Sequence, residues 1–515
     1  MKSMKKLVLA GLVLLASVVV LAGCDTPLEP ESTTVNEQAG GSENDSVPEV
    51  PKYTVKFAKG NNTDEVSDLP ADLTVESGTV LTAEQLKPLS YTENYAFVGW
   101  YDGETEALAG TYKVTKAVTL TAQWKKGIIV TAKNFNEGLQ SAISDPDSIL
   151  VLEDDITVLE TITISSGNVT IDLNGKTLKN ESRTVVQVAE GATLTIMDTG
   201  TKGSIKASGD YVVWNYGSLE VTDGEISGVY SGVRNYGSLE VTGGSISGTD
   251  YGVENDSSGK LTVTDGEISG VVYGVKNYSS GKLEVTGGNI SGNYSGVKNY
   301  SSGKLTVTGG NISGNYSGVD NQGELTVTGG SIKASNDGGY GVQNSGKLEV
   351  TGGNISGNYS GVDNQGELTV TGGNINGNYS GVDNQGELTV TGGSIKASGD
   401  GSYGVKNSGI LYLSGAPVIT SESYGVSFYL EETITLVGDL TGGNSSYSVA
   451  WRGATTGGTE IVVGGSISEG EDPFELTDEI ENRFTFKASI SSVYEEIEVE
   501  LDTEKNALVL ASVKE

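Results

Sequence analysis

The residues with which proteins usually do chemistry are thinly supplied in this chain of 515 residues: no histidine, one cysteine (Cys24) and four arginines (Arg183, Arg234, Arg452 and Arg483). Without an imidazole there is no Ser-His triad, no histidine general base and none of the usual zinc sites. With one thiol there is no disulfide framework. What remains is arranged in rows. Asp320, Asp363 and Asp383 recur one place before an asparagine, and Tyr294, Tyr316, Tyr359 and Tyr379 recur three places before a valine. Neighbouring carboxylates such as Asp363 and Asp383 have two readings, a weakly shared calcium ion or a solvated, mildly repulsive pair. Exposed tyrosines in a row suit sugar rings or a partner protein, and stacking on one another accounts for them equally well. A catalytic set is not read from the sequence. An active site is a local asymmetry, and Arg234, the one arginine inside the repeats, has no unique carboxylate cluster beside it along the chain.

The rows come from a repeated unit, GELTVTGGNINGNYSGVDNQ at Gly366 to Gln385, whose copies begin at Gly217, Gly237, Gly259, Gly281, Gly303, Gly323, Gly346, Gly366 and Gly386, with a decayed one at Gly409. A period of 20 to 23 residues suits one coil of a solenoid. In each copy Leu and Val alternate with polar residues, as Leu283 and Val285 do, which is the pattern of a strand with one buried face. Ile290 follows a Gly-Gly turn and Val297 follows a further Gly-rich turn, so three short strands make a coil. One coil cannot bury its Leu, Val, Ile and Val by itself. Neighbours ~4.8 Å apart enclose a continuous core and pair along the axis. The fold class is therefore all-β, a parallel β-helix of about twelve coils, on the order of 55–60 Å long.

A polar residue keeps the same register: Asn215, Asn235, Asn255, Asn277, Asn299, Asn321, Asn344, Asn364, Asn384 and Asn407. A primary amide both donates and accepts, so stacked asparagines bond along the pile and satisfy turn groups that would otherwise be buried unpaired. Such a ladder at a turn resembles the pectin-lyase-like parallel β-helix superfamily. The resemblance implies a right-handed coil, and it brings polysaccharide lyases and hydrolases into consideration. The lyases of that superfamily bind calcium through clustered acids and use an Arg or Lys base, and neither these clusters nor the distinct aspartate set of the hydrolases is matched here. Gly352-Gly353-Asn354-Ile355-Ser356-Gly357 likewise departs from the calcium-binding nonapeptide of secreted toxins, which needs Gly in place of Ile355 and Asp in place of Gly357.

At the N-terminus, Lys2, Lys5 and Lys6 precede an apolar run from Leu7 to Leu21 and then Leu21-Ala22-Gly23-Cys24. This resembles a bacterial lipoprotein signal peptide, residues 1–23, with its lipobox. The resemblance implies a diacylglyceryl group on the Cys24 sulfur, and a protein anchored to a membrane without crossing it. Residues 24–51 are rich in Ser, Thr, Glu, Asn and Pro, a composition that cannot bury a core, and are expected to form an acidic tether with a reach on the order of 30 Å. The formal charge of −35 makes nucleic acid and anionic membrane surfaces poor partners.

Residues 52–126 differ in pattern. They open with Tyr53-Thr54-Val55-Lys56-Phe57, continue through Phe97-Val98-Gly99-Trp100-Tyr101 and close with Leu120-Thr121-Ala122-Gln123-Trp124. These read as strands whose aromatics form a small core. They also resemble the Listeria-Bacteroides repeat, the B-repeat of internalin-type surface proteins, which implies a β-grasp-like stalk or adhesive module. The β-helix is expected over residues 127–430, with a helix around Phe135, Leu139 and Ile143 over its first coil, and a β-rich cap over residues 431–515. Near-identical coils suit a scaffold better than a catalyst. The expected role is a lipid-anchored adhesive protein of the bacterial envelope, at the outer membrane or cell surface, that binds a glycan, a host surface or a neighbouring protein. The alternative is a polysaccharide lyase or hydrolase with its site outside the regular repeats, near Arg183 or Arg452.

Overall fold

The computed structural model describes residues 50–515 apart from 257, 423–426, 443–446, 452–459, 468–471, 491–492, 497–498 and 511–515. Cys24, the stretch expected to be a signal peptide, most of the expected tether and Arg452 therefore lie outside the described residues. The residues from Lys52 to Glu515 form one compact unit.

Each repeat makes the three strands that its pattern predicts, for instance Lys282–Val285, Asn289–Gly292 and Ser295–Asn299. Each strand pairs in parallel with its counterpart one coil on, so the copies build three sheets around a common core. The register places like on like. Leu368 pairs with Leu388, Ile355 with Ile375 and Val362 with Val382. The ten leucines from Leu219 to Leu411 are between 0 and 2% exposed. A slip of one residue would turn all of these outward, so the alternation itself locks the register. The turns demand glycine. Gly373 has a φ of +72°, and a Cβ there would sit 2.6 Å from the carbonyl oxygen of Gly352 in the coil before.

The asparagines form a ladder. From Asn215 to Asn407, each Nδ2 donates to the Oδ1 of the next asparagine at 2.6–2.8 Å. The same amides reach turn carbonyls, as Asn299 does to Gly303 and Glu324 at 3.1 Å. Val188 and Leu430 occupy the ladder position in the coils beyond either end. The Oδ1 of Asn215 is accordingly buried without a donor.

The solenoid is longer than the repeat implies, about fourteen turns in place of twelve. Parallel pairing continues past Leu430, through Ile434–Leu440 to Glu460–Gly464 on one sheet and through Tyr447–Trp451 to Phe484–Ile490 on another. Sequence periodicity fades there while apolar residues still point inward, among them Ile434, Leu436, Tyr447 and Val449. Antiparallel strands Val493–Glu496, Val499–Asp502 and Ala507–Leu510 then end the stack.

At the other end the helix Phe135–Ser144 buries Phe135, Leu139 and Ala142 in the same core as Leu150, Leu152 and Ile164. An open solenoid end is thereby covered. The boundary expected at residue 126 falls inside one strand, Val118–Val130. Its first part pairs with Lys52–Ala58 and Tyr95–Asp102, and its last five residues pair with Ser148–Leu152 of the first coil. The small N-terminal region and the solenoid thus share a sheet. Trp100 and Trp124 are core residues, packed edge-on against Phe97, with their indole N–H groups donating to the carbonyls of Lys87 and Lys59.

Candidate binding face

The third sheet, which contains Ser295–Asn299 and its counterparts, carries the functional groups. Its strands read S/Y-G-V-x-N, with the valine and asparagine turned inward and the intervening residue turned out. The outward row runs in register through Trp214, Arg234, Glu254, Lys276, Lys298, Asp320, Gln343, Asp363, Asp383, Lys406 and Tyr429.

Tyrosines flank that row. Tyr294 and Tyr316 are 43% and 52% exposed with ring centroids 5.1 Å apart, and Tyr359 and Tyr379 are stacked at 4.9 Å. The sequence reading found those four, and the structure adds others to the same file. Tyr211, Tyr230, Tyr251 and Tyr273 follow one another at 5.3–5.7 Å and lead to Tyr294 at 5.9 Å. Tyr340, Tyr359, Tyr379, Tyr403 and Tyr429 make a second run at 4.6–6.1 Å. Several of the added tyrosines stand two places before the column valine, where Tyr294 stands three before. The file forms at a turn, so both positions deliver a ring to the same place. On the far side of the charged row, Tyr216 stacks on Tyr236 at 5.0 Å and Tyr278 on Tyr300 at 5.6 Å. Three places after the column valine, these had no counterpart in the sequence reading.

The charges between the rings are largely matched. Arg234 lies over Tyr211 and Tyr236, 5.2 and 5.1 Å from their centroids, and bonds Asp256 at 3.0 Å. Lys276 sits 4.5 Å from the Tyr251 ring and 4.7 Å from that of Tyr278. Lys298 pairs with Asp320, and Lys406 with Asp383 at 3.0 Å. Glu254 is 2% exposed, its Oε2 accepts from the Tyr278 hydroxyl at 2.9 Å and its Oε1 has no partner. Arg234 therefore does have carboxylates beside it. They arrive from the following coil, 20 and 22 residues on, which is why a scan along the chain passes over them.

Low exposure shapes the titration of the face. Burial, followed by the Glu254 carboxylate, pushes Tyr278 up to about 12 against the opposing pull of Lys276. Burial with Asp256 takes Tyr236 to about 12, and burial with Tyr300 and Asp320 takes Tyr273 to about 12. Burial, then the Asp383 charge, raises Asp363 above the ordinary aspartate range. Lys406 is raised as well: burial opposes its charge, and the Asp383 carboxylate outweighs burial.

Asp363 and Asp383 are direct neighbours in register, as the repeat predicts. Lys406 already supplies a cation to Asp383, so a calcium ion shared by the pair would have to displace it. Among the described residues no group of three or more Cys, Asp or Glu side chains is placed to hold a metal ion. Arg183 lies near the start of the face in an exposed ion pair with Glu160 at 2.9 Å.

A groove of about 350 Å³ on the turns beside the third sheet is lined by Ser, Gly, Asn and one Val, among them Ser269, Ser291 and Ser313, and holds no aromatic or charged group. The stacked ring files run along the third sheet, whereas charged pairs also occur on the other sheets, as Lys304 with Glu324 and Lys206 with Glu225. No protein-family model, curated protein or solved structure matches this chain.

Proposed function

We propose that this chain is a non-enzymatic binding scaffold of the bacterial envelope, held by lipid on Cys24, that grips an extended neutral glycan lying along the tyrosine-flanked face. The observation that carries this reading is the pairing of ring files with a charged row that neutralises itself. Stacked tyrosines offer flat apolar surface next to hydroxyls, which suits the two faces of a sugar ring. An anionic polymer would need free cations, whereas Arg234, Lys298 and Lys406 are each held by a carboxylate and Lys276 sits against the Tyr251 and Tyr278 rings. The surrounding acidity repels such a polymer further. The lipobox-like start and the B-repeat-like blocks support an extracellular adhesive setting, with membrane contact only through the anchor and no nucleic-acid partner.

A lyase or hydrolase is the second reading, and the asymmetry around Arg234, Glu254 and Asp256 favours it over a fully uniform rod. One experiment separates the two. The compact unit from Lys52 to Glu515 is incubated with neutral and acidic polysaccharides in the presence of calcium, and bound polymer and products are analysed by mass spectrometry. Retention of an intact neutral polymer supports the scaffold. New oligosaccharides, above all unsaturated ones, overturn it in favour of the enzyme.

A further inference from the structure

The first coils of the third sheet hold a cleft of about 330 Å³ lined by Thr161, Arg183, Gln187, Asp210, Tyr211 and Trp214. It differs in kind from the rest of the face. Tyr211 and Trp214 are stacked, with centroids 5.8 Å apart and ring planes 20° from parallel, and form an aromatic pair at the cleft. Trp214 is the one tryptophan in the outward row among the described residues, where later coils carry Arg234, Glu254 and Lys276. Its indole nitrogen is buried with no acceptor. Before Trp214 the outward row continues with Gln187 and Thr163, so ring stacking ends here. Tyr211 is also the first ring of the tyrosine file.

We propose that this cleft is a subsite for one neutral sugar ring, the end position of the tract along the tyrosine file; the inference rests on the neutral-glycan reading above. The apolar face of a pyranose would lie against the Trp214 ring, which Tyr211 backs by stacking. The sugar hydroxyls would donate to the Asp210 carboxylate or bond the Gln187 amide, both of which line the cleft. A hydroxyl both donates and accepts, which fits this mixed lining. A carboxylate or phosphate ligand fits it poorly, because Arg183 is already paired with Glu160 and Asp210 would repel the newcomer. The position at the end of the ring file makes the cleft a selector of the ligand's terminal unit, while the tyrosines beyond it hold the polymer with little discrimination.

The test uses the full-length chain and hexamers of cellulose, xylan, mannan, laminarin and polygalacturonate, with affinities measured by calorimetry. One neutral hexamer is expected to bind and to shift tryptophan emission, and the shift should vanish in Trp214→Ala, which separates Trp214 from Trp100, Trp124 and Trp451. Trp214→Ala should weaken that hexamer at least tenfold. Trp214→Phe, which keeps a ring of smaller area, should weaken it about threefold while melting like the wild type. Tyr359→Ala with Tyr379→Ala should weaken long polymer and leave the hexamer unchanged. If the Trp214 variants bind the hexamer like the wild type while the tyrosine pair loses it, the subsite is overturned and the broader reading stands. If no neutral hexamer or polymer binds, or if polygalacturonate binds and Arg183→Gln abolishes it, both are overturned.

Discussion

On the third sheet, the coils from Tyr211 to Tyr278 and those from Ser360 to Asp383 are alike inside and different outside. Val233, Val253 and Val275 are as fully buried as Val362 and Val382, and Asn235, Asn255 and Asn277 continue the ladder that holds Asn364 and Asn384. Outside, the first set presents Trp214, Arg234, Glu254 and Lys276, and the second repeats Asp363 and Asp383. A stacked coil shares its core with the coils on either side, so an inward residue must suit two neighbours at once. The outward residue answers to solvent and is free to change. Where copies have diverged, unlike charges and rings meet, as Arg234 meets Asp256 and Tyr236. Where copies stay identical, like meets like, and burial with the neighbouring Asp383 raises Asp363.

The comparison breaks most visibly if the interior is not uniform. Asn255→Ala removes the acceptor of Asn235 and the donor to Asn277, two buried groups at ~1–3 kcal/mol each, for an expected loss of ~2–6 kcal/mol. Asn364→Ala should cost about the same in the other region. Guanidinium unfolding, with amide exchange in the adjacent strands, measures both, and a difference above ~1.5 kcal/mol would show that the two interiors are not equivalent. Asn311→Ala, in an exposed row where Asn311 donates to Asn289 at 2.9 Å, should stay within ~0.5 kcal/mol.

Next in size are the rings. Taking the contact of the Tyr359–Tyr379 stack with a sugar ring at the ~0.5–1.5 kcal/mol of an aromatic pair, Tyr359→Ala with Tyr379→Ala should weaken polymer binding by roughly two- to tenfold in affinity electrophoresis. Unchanged mobility would mean that these tyrosines stack only on one another.

The tyrosine titration sharpens the contrast further. Tyr236, Tyr273 and Tyr278, each raised to about 12, should stay neutral at pH 11 while ordinary tyrosines ionise, which ultraviolet difference spectra resolve. Native pKa values above the unfolded value mean that the native state holds more protons between pH 10 and 12. Stability should therefore fall as pH rises through that window. Replacing Glu254 by Gln should bring Tyr278 down.

The smallest effect belongs to Asp363. Its raised pKa has the same sign, so the native state is favoured below the unfolded aspartate pKa and loses that advantage as pH rises through the folded one. Asp363→Asn should raise the melting temperature slightly at pH 7 and leave it unchanged at pH 3. An equal shift at both values would point to packing in place of charge.

Much of the solenoid could be read from the chain because its causes are local and repeated. Alternation set the buried face of each strand, glycines marked the turns, and the period aligned Leu with Leu and Asn with Asn across coils that must stack in register. The helix expected from the spacing of Phe135, Leu139 and Ile143 was legible for the same reason, although Ala142 is buried more fully than Ile143. Past Leu430 the repeat weakens while the core persists, so the last coils could be found only from pairing. The strand Val118–Val130 joins the small region to the first coil through backbone bonds that leave no side-chain signature. The face depended on tertiary structure most. Tyrosines at two different positions merge into one file at a turn, and Arg234 meets Asp256 and Glu254 only because one coil stacks on the next. Sequence alone determined which residues turn inward, since burial acts on each strand by itself; which outward residues meet was decided by stacking, which brings together groups that are twenty or more residues apart along the chain.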